Sequence, residues 1–143
     1  MDIRRIDDTI SVTPQLTADD VAQAAKLGFR TLVANRPDGE EPGQPTMADI
    51  EAAARENGME WVYLPVESGN ILDEDVDRFD TMIRQAETPV LAFCRSGTRC
   101  TVLWALSSAR SEPAQEIVTK ARNAGYDITG LAPRIAQQAS KQS

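Results

Sequence analysis

Short aliphatic runs at Ile10-Ser11-Val12, Phe29 to Ala34, Trp61 to Leu64 and Val90 to Phe93 are separated by stretches whose apolar residues recur at helical spacing. No other feature constrains the fold as strongly. A strand that must pass through a helix before the next strand cannot close a tight hairpin with it, so the strands pair in parallel and the helices cover both faces of one sheet. Thr17 with Asp20 reads as a helix cap, followed by the stripe Val21, Ala24, Ala25 and Leu27, which Gly28 ends. A second helix spans about Thr46 to Asn57 and stops at Gly58. A third runs from about Asp73 to Ala86, with Val76, Phe79 and Ile83 on one face. Helices over Thr101 to Ala109 and Pro113 to Ala124 complete the pattern, and the tail after Pro133 is expected to fray. Ile6 and Ile10-Ser11-Val12, flanking Asp7-Asp8-Thr9, predict an opening hairpin. The expected class is α/β, with a central, mostly parallel sheet and one domain over residues 1–143.

Charge and composition narrow the function. Fifteen basic residues against 22 acidic ones give a net charge of −7, which argues against a nucleic acid or an anionic membrane as partner. No apolar run reaches membrane-spanning length and the first residues lack the apolar core of a secretory signal, so a cytoplasmic location is expected. Two cysteines fit a reducing compartment in which thiols stay available. Histidine is absent, which excludes serine–histidine and cysteine–histidine catalysis and leaves no conventional histidine-containing zinc site. Neither a metal nor a cofactor is expected.

The chemistry concentrates in Cys94-Arg95-Ser96-Gly97-Thr98-Arg99-Cys100-Thr101, between a buried strand and a helix start. Ligand sites of open α/β sheets lie at such junctions. Backbone N–H groups from Arg95 through Ser96, Gly97 and Thr98 to Arg99 can converge with the positive end of the helix on an oxyanion or a thiolate. Gly97 frees the backbone to turn. Arg99 supplies a planar, bidentate grip, and the same donors depress the pKa of Cys94 to make it a nucleophile. Arg95 is expected to point out of the cradle, either as a solvated side chain or to steer an anionic substrate.

The cysteine loop, the segment Asn35-Arg36-Pro37-Asp38-Gly39-Glu40 and the opening Ile10-Ser11-Val12-Thr13-Pro14-Gln15-Leu16 together resemble the phosphatase-like domain family named after beta-lactamase hydrolase-like proteins. The resemblance implies a fold related to tyrosine and dual-specificity phosphatases, with Cys94 as nucleophile and Arg99 as anion-binding arginine; some members of the family are labelled sulfurtransferases. The loop from Cys94 to Arg99 is one residue shorter than in tyrosine phosphatases and matches rhodanese-type sulfurtransferases. The upstream stretch Pro65-Val66-Glu67-Ser68-Gly69-Asn70 lacks the aspartate that protonates the leaving group in the resembled superfamily, leaving Glu67 or Asp38 as substitutes.

Both departures point toward sulfur. The leading expectation is a rhodanese-type sulfurtransferase that forms a persulfide on Cys94 and passes the sulfur from an anionic donor to a small thiol acceptor. The alternatives are a phosphomonoester phosphatase with a phosphocysteine intermediate and a non-catalytic redox or anion sensor. Arg36 is expected either to reach the same anion or to pair with Asp38 beside its Pro-Gly turn, and Asp38 to orient Arg36 or Arg99. Cys100 stands where related phosphatases carry a hydroxyl. Three roles are open: Thr101 supplies that hydroxyl instead, Cys100 resolves an oxidised or persulfidated Cys94, or Cys100 packs as a core thiol.

Overall fold

The computed structural model describes residues 1–141. Five strands, β1 (Arg4–Arg5), β2 (Ile10–Thr13), β3 (Thr31–Ala34), β4 (Glu60–Tyr63) and β5 (Val90–Phe93), form one sheet in the order β1-β2-β5-β3-β4. Only β1 runs antiparallel, through its pairing with β2. The three inner pairings are parallel and place Thr13, Phe93, Ala34 and Tyr63, the last residues of four strands, side by side. Everything that follows those residues therefore leaves the sheet along one edge.

Alternation of side chains divides the core into two layers. Leu91 and Phe93 of β5 join Leu32 and Ala34 of β3 under α1 (Ala18–Lys26) and α2 (Met47–Glu56). Val90, Ala92 and, next in the alternation, Cys94 face the opposite way. There they meet α3 (Asp73–Gln85), α4 (Thr98–Ser108), α5 (Ala114–Asn123) and α6 (Ala132–Ala139). The cap at Thr17 forms with the predicted reciprocity: its side chain accepts from the Asp20 N–H while the Asp20 carboxylate accepts from Thr17 N–H.

The structure corrects three expectations. The hairpin pairs Arg4–Arg5 rather than Ile6, because Ile6 is buried and its N–H closes the turn onto the Ile10 carbonyl. The fourth helix starts at Thr98, three residues early, since Gly97 turns the chain with φ +89° and the helix begins at once, taking in Arg99 and Cys100. The tail does not fray over its described part: α6 buries Ile135 and Gln138, and Arg110 donates to the Gln138 side chain from the end of α4. Its last two residues lie outside the described ones.

Candidate active site

Cys94 immediately follows β5, and its N–H reaches the Thr13 carbonyl, so strand pairing fixes the backbone beneath the sulfur. The sulfur is fully buried and accepts from the Gly97 N–H at 3.1 Å. Its strongest influence is the Cys100 thiol, which donates to it; burial opposes, and the backbone N–H groups of Cys100, Ser96 and Gly97 add to the first, bringing the Cys94 pKa down to about 5. A thiolate at neutral pH follows. Burial, and then the charge it supports on Cys94, push the Cys100 thiol well up, so this partner stays protonated and a donor. Both cysteines are free thiols. Thr101 does not supply the hydroxyl: its Oγ1 donates to the Gly97 carbonyl at 2.9 Å, closing the first turn of α4.

The rest of the loop is held from outside. Tyr126, just after α5, donates its hydroxyl to the Ser96 carbonyl at 2.9 Å, and a Cβ on Gly97 would lie 2.2 Å from that hydroxyl oxygen. Gly97 is thus required twice, by its φ and by the close approach of the tyrosine. The Ser96 hydroxyl bonds that of Thr98 at 3.1 Å, bracing the exposed side of the loop.

Arg99 is buried, and its partners differ from those expected. Nη1 donates to Glu40 Oε2 and to the Val66 carbonyl, both at 2.9 Å, and Nη2 donates to Glu40 Oε1 at 2.7 Å. The two hydrogens of Nη1 are used and one of Nη2 is used. What remains without a partner among the described residues is the edge carrying Nε–H and the second Nη2–H, the parallel pair that grips an oxyanion bidentately. The Arg99 hydrogen bonds hold the Glu40 carboxyl down at about 2 against the cost of burial, with Arg36 adding to them, and Glu40 in turn raises the pKa of Arg99.

Arg36 and Asp38 are not where they were expected. Buried Arg36 donates to Glu40 Oε1 at 2.9 Å and to the Gln15 side chain at 3.1 Å, so it anchors the carboxylate that anchors Arg99 and leaves the anion to that arginine. Asp38 orients neither arginine; its carboxylate accepts from the Met47 N–H at the start of α2. Glu40 does that work. The Gln44 side-chain oxygen Oε1 accepts from the N–H groups of Glu40 and Glu41 while its Nε2 donates to the Pro37 carbonyl, stapling the segment. Glu41 pairs with Arg95 at 2.9 Å. Glu40, Gln15 and Tyr126 had no role in the sequence reading, although Gln15 and Glu40 lie within the segments that carried the resemblance.

A cleft of about 380 Å³ opens beside the loop, between Arg95, Ser96, Thr98 and Arg99 on one side and Ser68, Gly69 and Ile71 on the other. Exposed Glu67 lies in sequence between Val66, whose carbonyl touches Arg99, and Ser68 of that second wall. Among the described residues no cluster of acidic or thiol side chains is arranged to hold a metal, and no helix is long and apolar enough to cross a membrane.

Residues 2–111 match the model of the phosphatase-like domain of beta-lactamase hydrolase-like proteins. A curated protein of that name from Agrobacterium fabrum is 30% identical over 138 residues, which are 95% of this chain and 32% of the relative, so the chain spans about a third of that relative's length. The structure also superposes on a protein from Neisseria meningitidis described as a putative phosphatase, with a TM-score of 0.86 and 38% identity over 96% of this chain and 99% of the other. Tk-PTP, at 15% identity, shares the fold with a TM-score of 0.67 over 98% of this chain and 95% of its own. These likenesses back the phosphatase alternative; the sulfurtransferase expectation, with its sulfur donor and thiol acceptor, finds no support among them.

Proposed function

Since the chain belongs to the phosphatase-like domain family of beta-lactamase hydrolase-like proteins, with a tyrosine-phosphatase-like fold, we propose that residues 1–143 form one domain that hydrolyses phosphomonoesters through Cys94. The observation that carries the reading is the Cys94 sulfur, accepting from the Gly97 N–H at 3.1 Å, just ahead of a first-turn guanidinium whose end is fixed by Glu40 and whose side edge is free among the described residues; the lowered Cys94 pKa agrees with it.

The ester phosphate enters the cleft and lays two oxygens on the free edge of Arg99, with the N–H groups of the loop around the others. The Cys94 sulfur attacks phosphorus; an S–P bond forms as the ester P–O bond breaks, and the leaving oxygen takes a proton from the carboxylic acid of Glu67, the residue before Ser68 of the facing wall. Asp38 is committed to α2 and takes no part. Water then attacks phosphorus and gives a proton to the Glu67 carboxylate, the S–P bond breaks, and inorganic phosphate leaves with the thiolate and the Glu67 acid restored. The Cys100 thiol, donating to that sulfur, stabilises it as the leaving group of the second step.

The test is phosphate release from aryl and alkyl phosphomonoesters by the purified chain. Turnover that disappears in Cys94→Ser, with a phosphoryl adduct on Cys94 seen by intact mass after acid quench, is expected. The shorter loop favours a second reading, sulfur transfer. Absence of phosphate release together with the gain of one sulfur atom on Cys94 from thiosulfate overturns the first reading in favour of the second.

A further inference from the structure

Glu41 stands between two arginines that need it unequally. Its Oε1 pairs with Arg95 at 2.9 Å, and its Oε2 lies 3.4 Å from Nη2 of Arg36. The Arg95 side chain is 68% exposed, so its pair with Glu41 is a solvent-screened contact of little net value. Arg36 is 2% exposed, and its Nη2 is buried without a hydrogen-bond partner among the described residues. A buried, unsatisfied guanidinium donor is costly, and a small swing of Glu41 satisfies it. Release of Arg95 is therefore offset by a hydrogen bond gained inside.

Arg95 and Arg99 line the same cleft, so release of Arg95 supplies a second cationic site there. The facing wall is Ser68, Gly69 and Ile71, with no aromatic ring on which an aryl ester would stack. We infer that the substrate is a compact aliphatic phosphomonoester bearing a second anionic group, which Arg95 takes while Glu41 moves to Arg36. Arg95 is then a specificity residue and Glu41 its exchangeable counter-ion. This inference rests on the phosphatase reading for the name of the reaction and on the cleft alone for the choice of ligand.

Binding to the Cys94→Ser protein separates the two, because it needs no turnover. Calorimetry with 3-phosphoglycerate and glycerol 3-phosphate compares a carboxylate with a hydroxymethyl group on otherwise matched phosphates, and phenyl phosphate supplies the aryl control. The expected result is binding of 3-phosphoglycerate about tenfold tighter than either, a preference that falls to near unity when Arg95→Ala is added and widens with Glu41→Gln. Tighter binding of phenyl phosphate, equal binding of the matched pair, or a preference that survives Arg95→Ala overturns the inference. Failure of wild-type protein to release phosphate from any of the three, with the binding preference intact, counts against the phosphatase reading alone.

Discussion

Cys94 owes its acidity to a neighbour of its own kind. A thiol is a weak donor, yet in a buried site it supports the charge on Cys94 more than any single backbone N–H does. Removing a donor to the charged form disfavours that form, so Cys100→Ala is expected to move the Cys94 midpoint up from about 5 toward the ordinary 9.0, whereas Cys100→Ser, which keeps a donor, leaves it low. The pH dependence of Cys94 alkylation reads this directly; the same midpoint in both variants would assign the acidity to the backbone. Gly97 offers a second test at this scale. Gly97→Ala places a methyl on the Tyr126 hydroxyl in a left-handed backbone conformation, for an expected loss of about 1–3 kcal/mol in urea unfolding. Part of that loss should be recovered in Tyr126→Phe, where the clashing oxygen is gone. The order strand, cysteine, glycine, arginine, helix was legible here because each step is local. The partner of Arg99 was not, since 59 residues separate it from Glu40.

The segment from Arg36 to Gln44 is the element that turns a loose arginine into a fixed clamp. Its proline and glycine content reads as an ordinary turn, and the sequence placed its function on Arg36 and Asp38. In the fold Asp38 serves α2, Arg36 anchors Glu40, and Glu40 carries the contact that matters. Three carboxylates lie within four residues, and only the three-dimensional path of the turn decides which one meets Arg99. Glu40→Gln keeps the shape and removes the charge, so kcat/KM is expected to fall on the order of 10- to 100-fold, with product phosphate inhibiting more weakly and the fold retained. An unchanged inhibition constant for phosphate would show that Arg99 holds its position without Glu40. The same carboxylate sets an acid limit. Its folded pKa of about 2 lies below the ordinary 4.5, so the stabilisation it supplies is complete above pH 4.5 and is lost as the pH falls through 2. Unfolding midpoints of Glu40→Gln should accordingly depend less on pH across that window than those of the wild type.

Across the molecule, the parallel register of β2, β5, β3 and β4 assembles the site. Gln15, Cys94, Arg36 and Val66 all follow strands that end level with one another, so short loops bring them together. The far end of the chain contributes as well. Tyr126 braces the cysteine loop, and α6 covers α4 behind it with Ile135 1% exposed. Ile135→Ala is expected to cost about 2–4 kcal/mol in chemical denaturation while leaving kcat/KM at saturating fold unchanged; a loss near zero would mean that the helix is dispensable to the core. The amino-acid sequence by itself determined the α/β alternation, the strand that presents Cys94, the turn at Gly97 and the presence of one arginine poised after it, because period, caps and turn chemistry act over a few residues. Only the tertiary structure decided that Glu40 holds that arginine, that Cys100 rather than Thr101 serves the thiolate, and that the tail is a packed helix. Those outcomes depend on which distant side chains fill the same small volume, and no local pattern encodes that.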